Sequence, residues 1–188
     1  YGTKYFEYTI PKEKIEEWKD PELNPNIYLP MVNPFIPKNL DLKSISENVR
    51  FNINNNNFKE IQKYPKLIRN DKFIKLWFKQ DTEYKRPLAN IYFNVWIPGT
   101  YSSPQSILLA RLYTRMVTDS LNEYAYYASV CGLNYDIHAS AEGFQVLVMG
   151  YNDKISMLIE KVFERLKTVE LKKDRFEILK ETLVLQFK

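Results

Sequence analysis

The single histidine of the chain, His138, is the residue best suited to act as a base or a metal ligand, because imidazole changes charge near neutral pH. Asn134, Asp136, His138 and Ser140 alternate with Tyr135, Ile137, Ala139 and Ala141, which predicts His138 on the solvated face of a strand. Cys131, the only cysteine, lies just before Gly132 at the end of a helical pattern. A reactive thiolate wants a helix N-terminus or cationic neighbours, so Cys131 is read as a small buried hydrophobe. Glu177 and Glu181 stand four residues apart and could share a metal or a proton. Lys173 and Lys180 lie beside them, and a solvated, salt-bridged helix face is the simpler reading. Lys75, Trp77 and Lys79 could stack single-stranded nucleic acid, but the same alternation suits a strand wedged between a helix and a neighbouring domain.

A structural zinc site takes four Cys or His ligands and a catalytic one about three protein ligands. One histidine and one cysteine build neither without many carboxylates. No GxGxxG, GxxxxGKS/T or GxSxG pattern occurs, and five glycines leave little for phosphate-cradling loops. The residues alone therefore predict no catalytic and no metal-binding position in this chain.

These side chains sit in 188 residues that are 45% hydrophobic, 27% charged and 15% aromatic, which excludes disordered, collagen-like and disulfide-rich classes. The net charge of +4 is slight and interspersed, so nucleic acid is not an expected partner. No apolar run reaches the ~18 residues that a membrane span needs, and no membrane partner is expected. A lone cysteine permits no internal disulfide and fits a reducing compartment, with the cytoplasm the expectation. The chain opens at Tyr1 and stops inside an amphipathic pattern at Phe187 and Lys188, which predicts a piece of a larger polypeptide.

Six of the ten prolines fall in residues 1–44. Tyr5 to Ile10 alternates as a short strand would, and Lys12 to Trp18 suits a short helix after Pro11. Pro21, Pro25, Pro30, Pro34 and Pro37 then block both helix and sheet pairing, so this stretch reads as an extended linker. Its apolar residues, Phe35 among them, predict that it lies along a surface or straddles two domains. Asn52 and Asn54 to Asn57 read as a low-complexity loop. Phe73 to Gln80 reads as a half-buried strand paired in a hairpin with Leu88 to Ile97, whose Ile91, Phe93, Val95 and Ile97 share one face.

Ser103 and Pro104 open a long helix with apolar Leu109, Leu112, Met116, Tyr124, Tyr127 and Cys131, closed by Gly132. A second hairpin turns at Glu142 and Gly143. Asn152 or Asp153 is the expected cap of the next helix, whose stripe is Ile155, Leu158, Ile159, Val162, Phe163 and Leu166. Phe176, Leu179, Leu183 and Phe187 line the last helix. The predicted fold class is α+β: a mostly antiparallel sheet of two hairpins with helices packed on one face.

Several longer motifs go further. Tyr1-Gly2-Thr3, Leu29-Pro30, Asn33-Pro34-Phe35-Ile36-Pro37 and Leu76-Trp77-Phe78-Lys79-Gln80-Asp81 are followed by Asp119-Ser120-Leu121-Asn122-Glu123-Tyr124-Ala125-Tyr126, Ala128 and Gly132-Leu133. Gly150-Tyr151-Asn152-Asp153-Lys154 and Arg175-Phe176-Glu177 complete the series. In this order they resemble the central part of the insulysin branch of the pitrilysin-type zinc metalloproteases. That family has four similar α+β domains around a chamber, with zinc held in the first by an HxxEH motif and a later glutamate.

The resemblance implies the tail of a preceding domain at residues 1–20, a proline-rich linker with an Asn-rich insertion at 21–71, and a third, non-catalytic domain at 72–188 that is incomplete at its C-terminus. The position of the later glutamate falls near Leu183, which cannot bind zinc. The same resemblance gives Trp77, Asn122, Glu123, Tyr124, Gly132, Tyr151 and Asn152 a structural role as motif residues. It implies zinc in the parent enzyme but none here. It also implies peptide substrates for that parent, the remaining domains of the same polypeptide as partners, and a possible homo-oligomer. The expected function is a chamber wall and a scaffold between the halves of a zinc metalloendopeptidase that degrades small or unfolded peptides. The competing reading is an independent peptide- or nucleic-acid-binding module.

Overall fold

The computed structural model describes residues 2–22, 24–42, 64–81, 83–170 and 172–187. The Asn-rich stretch lies outside them. The chain divides into two compact units, Tyr1–Val32 and Asn33–Lys188.

In the first unit, helix α1 (Lys12–Lys19) starts directly after Pro11, as expected. It buries no residue, and pairs on its exposed surface join Lys19 to Glu16 at 2.6 Å and Lys14 to Glu17 at 3.7 Å. Tyr5 to Ile10 does not form the expected strand. Alternation predicts a strand only where a second strand takes up the backbone hydrogen bonds, and Tyr5, Phe6 and Tyr8 instead stand open to solvent.

The second unit holds five described strands and three helices. Strand β1 (Lys66–Asn70) pairs antiparallel with β2 (Lys75–Phe78). Their turn is built by Asp71, whose Oδ1 accepts from the backbone N–H groups of Phe73 and Ile74, each at 2.9 Å. Those amides, then the Arg69 guanidinium at 2.6 Å, hold the Asp71 carboxyl below the usual range. The sequence reading differs here in three ways. The strand is shorter than Phe73 to Gln80, it is exposed rather than half-buried, and its partner is β1 rather than Leu88 to Ile97. The Asp71 turn makes the neighbouring segment the cheapest partner, because closing a short loop costs less entropy than closing a long one.

Strand β3 (Leu88–Trp96) finds a partner of its own length in β5 (Gly143–Tyr151), with register running from Leu88 opposite Tyr151 to Trp96 opposite Gly143. Strand β4 (Asn134–Ser140) takes the other edge of β5, so the three-stranded sheet has the order β3-β5-β4. The hairpin expected at Glu142 and Gly143 is the β4–β5 connection.

Helix α2 (Pro104–Val130) opens with a reciprocal capping box. The Ser103 hydroxyl accepts from the Ser106 amide at 3.1 Å, and the Ser103 amide donates back to the Ser106 hydroxyl at 3.0 Å. Its end is a Schellman closure: the Gly132 amide donates to Ser129 and the Leu133 amide to Ala128, both at 3.0 Å. Helices α3 (Ile155–Lys167) and α4 (Lys173–Leu185) pack beside it.

The core lies between these helices and the sheet. Val117, Leu121 and Ala128 of α2 meet Ile137, Val146 and Val148 of the sheet and Leu158 and Val162 of α3. Phe35 is completely buried in the same cluster, with its ring edge-on to Tyr124 at 5.1 Å. The Asn33 side chain pins the segment by donating to the Tyr127 carbonyl at 2.7 Å while accepting from the Phe35 amide at 2.9 Å.

Asp153 does not cap α3. Its Oδ2 accepts from the backbone amides of Lys38 and Asn39, at 2.8 and 3.4 Å, and Lys154 stands at the cap position without a side-chain bond. A competing pair of unsatisfied amides in the proline-rich strap has captured the carboxylate. Those amides, with Lys154, hold the Asp153 carboxyl below its ordinary range.

Candidate functional site: a cationic groove on the long helix

The residues singled out from sequence do not converge. His138 is exposed on β4, with Nδ1 3.0 Å from Asp136 and Nε2 2.8 Å from Gln145. Cys131 is the half-buried C-cap residue of α2 and packs against the core. Glu177 pairs with Lys180 at 3.1 Å rather than with Glu181. Among the described residues no three His, Cys, Asp or Glu side chains cluster as a metal site would require.

The motif residues divide by place. Trp77 is exposed on β2, and Asn122 and Glu123 are exposed on α2. Tyr124 carries the edge contact to Phe35, with the Lys161 ammonium 5.7 Å from its ring centroid. Gly132 and Tyr151 meet where α2 ends against β5, and Asn152 follows Tyr151. Gly132 has φ +77°, and a Cβ there would lie 3.2 Å from the Tyr151 ring. A Cβ on Gly150 would lie 2.3 Å from the Gly132 carbonyl, so both glycines are needed for this close approach. The Asn152 amide donates to Pro87 at 3.0 Å and closes the base of β3.

Two motifs far apart in sequence are tied by one ion pair. The Arg175 guanidinium grips both oxygens of Asp119, with Nε donating to Oδ2 at 2.9 Å and Nη2 donating to Oδ1. This contact, against a partial desolvation, holds the Asp119 carboxyl below its usual range and raises Arg175 above its own. It also docks α4 on α2, beside the small cluster of Leu112, Met116 and Leu183.

A groove of about 270 Å³ opens next to that cluster. Arg111, Thr114 and Arg115 of α2 form one wall, Leu183 and Gln186 the second, and β4 the floor, where Ile137 and Ala139 flank His138. The Arg115 guanidinium donates to the Gln186 side chain, and Arg111 lies 5.8 Å from the Phe187 ring centroid. The Thr114 hydroxyl is buried and donates to the Arg111 carbonyl at 3.0 Å.

Arg111, Thr114 and Arg115 occupy positions i, i+3 and i+4, the spacing at which HxxEH presents its three functional groups. Leu183 faces them. Two permanently protonated guanidiniums and an isobutyl group offer a cation no lone pair, which leaves the Thr114 hydroxyl oxygen as the one neutral donor atom of the four. The arginines escaped the sequence reading because neither matches a chemical motif. Their one signal was two like charges four apart on a helix, where like charges repel.

A family model described as the middle or third domain of M16 peptidase matches residues 1–188. The insulin-degrading enzyme of Bos taurus is 40% identical over 181 residues, 96% of this chain and 17% of that protein. A peroxisomal insulin-degrading enzyme-like protein of Arabidopsis thaliana is 35% identical over 187 residues, 100% of this chain and 18% of its own. The chain thus spans less than a fifth of the length of the curated relatives it matches. A crystal structure of pitrilysin shares the fold with a TM-score of 0.71 at 20% identity, covering 85% of this chain and 16% of that one. With an α+β fold shared with pitrilysin and a family match along its whole length, this chain belongs to the family of M16 peptidase middle or third domains.

Proposed function

We propose that the chain is a non-catalytic part of a zinc metalloendopeptidase that degrades small or unfolded peptides, and that it walls the chamber and holds the two halves of the enzyme in register. The observation that carries the reading is the wall of the groove. Arg111, Thr114 and Arg115 stand on α2 at i, i+3 and i+4, the spacing that HxxEH uses, and Leu183 lines the opposing side. A cation brought there would meet two fixed positive charges and no carboxylate among the residues that line the groove. Zinc and the hydrolytic step belong to another domain of the parent polypeptide.

In this reading residues 1–20 end the preceding domain, 21–71 link it to the next, and 72–188 form the third domain. The buried Phe35 and the Asp153 contact to the strap support a linker anchored to the domain it leads into. Trp77, Asn122, Glu123, Tyr124, Gly132, Tyr151 and Asn152 serve structure, and the cytoplasm is the proposed compartment. Among the described residues no helix is long and apolar enough to cross a membrane.

Two measurements test the reading. The purified 188-residue chain should hold no stoichiometric zinc after dialysis against the metal and should not cleave a fluorogenic peptide. In the full-length protein, Arg115→Ala should leave zinc content unchanged. Chelator-sensitive hydrolysis by the chain alone would overturn the proposal.

A further inference from the structure

We propose that the groove between α2, β4 and the end of α4 binds a small carboxylate, of the kind a peptide C-terminus presents, between Arg111 and Arg115. Side chains four apart on a helix are neighbours at about 5–6 Å, close enough for two guanidiniums to converge on one oxyanion. Arg69 and Arg175 each hold an aspartate, whereas among the described residues no carboxylate is paired with Arg111 or Arg115.

Their donors are also largely unspent. Arg115 gives one bond to Gln186, and Arg111 only faces the Phe187 ring. Each guanidinium carries five N–H donors in a planar fork suited to a carboxylate. Asp136, two residues from His138 on β4, is engaged by that histidine at 3.0 Å.

Ligand size follows from volume and lining. At about 270 Å³ the groove lies just under the ~300–1,000 Å³ of pockets for drug-sized molecules. Ile137, Ala139 and Leu183 give it an apolar side against which a short aliphatic group can rest. A carboxylate carrying a small apolar side chain fills both halves. Inorganic phosphate offers the same oxyanion chemistry without the apolar group and is the competing source. The inference goes beyond the missing zinc chemistry and fails separately from it, since an inert domain can still bind or ignore an anion.

The test is site-resolved arginine modification of the full-length polypeptide by phenylglyoxal, read by mass spectrometry. N-acetyl-alanyl-alanine should slow modification of Arg111 and Arg115 at least fivefold and leave Arg69 unchanged. Its C-terminal amide should protect neither, and phosphate should protect less than the dipeptide acid at equal concentration. In Arg111→Gln, about tenfold more dipeptide acid should be needed to protect Arg115. Equal protection by acid and amide, stronger protection by phosphate, or no protection at all would each overturn the assignment.

Discussion

Asp119 and Arg175 show how one pair can tie two distant motifs. Arg175 is about half exposed, so water screens the attraction, while Asp119 is mostly covered. An exposed ion pair is worth ~0.2–1 kcal/mol, with good bidentate geometry at the upper end, so Asp119→Asn should cost about 1 kcal/mol at neutral pH. The folded-state carboxyl lies below its ordinary value of 3.8, so its contribution is fully present above that value and disappears as pH falls through the lowered one. Urea unfolding of wild type and Asp119→Asn should therefore differ at pH 6 and converge as pH drops below 3.8. A difference that stayed constant with pH would assign the effect to packing. Tyr135 offers a second titration. Burial, and then the neighbouring Asp136 charge, push its phenol up to about 12. Spectroscopic titration of wild type against Tyr135→Phe should show the lost phenolate signal well above pH 10, the ordinary tyrosine value; loss of signal near 10 would mean the hydroxyl is solvated.

At the scale of elements, the strap formed by Asn33 to Asn39 is held by one ring and a few amide contacts. Truncating a buried phenylalanine costs about 3–5 kcal/mol in lost transfer energy and cavity, so Phe35→Ala should lower unfolding free energy by that order. Asp153→Ala should act on the strap alone: the Lys38 amide should exchange faster with solvent, while amides of the β5 strand keep their protection. Uniform loss of protection would show that Asp153 supports the whole unit.

These elements also mark what sequence could reveal. Helix α2 was legible from both ends, because Ser103 and Pro104 open it and Gly132 supplies the positive φ that closes it. The β4–β5 hairpin was legible from alternation around Glu142 and Gly143. Strand pairing was not, because alternation says which face is buried and nothing about which edge is shared. Strand β1 was missed because Lys66–Asn70 carries no clean period of two. The cap on α3 was misassigned because an aspartate beside a helix start has the same local signature whether it caps that helix or reaches amides more than a hundred residues away. The groove shares this limit: Arg111 and Leu183 stand 72 positions apart and only packing brings them together.

At the scale of the molecule, the surplus of exposed aromatic surface is the property that most needs a cause. Trp77 and Trp96 are 59% and 81% exposed, and Phe73, on the turn that leads into β2, is 87% exposed. Trp96 lies on the solvent-facing side of β3 with Tyr92. Single exposed apolar residues are ordinary, but contiguous ones mark surfaces that other protein covers. Under the scaffold reading the covering surface is another domain of the same polypeptide, so these rings should be sheltered in the full-length protein. Hydroxyl-radical footprinting resolves this residue by residue. Trp77 and Trp96 should be oxidised several-fold more slowly in the full-length protein than in the 188-residue chain, with Tyr135, already half buried in this chain, as an internal control. Equal oxidation in the two would mean that neighbouring domains leave both faces open, and the chain would then be a module tethered to the enzyme rather than part of its wall.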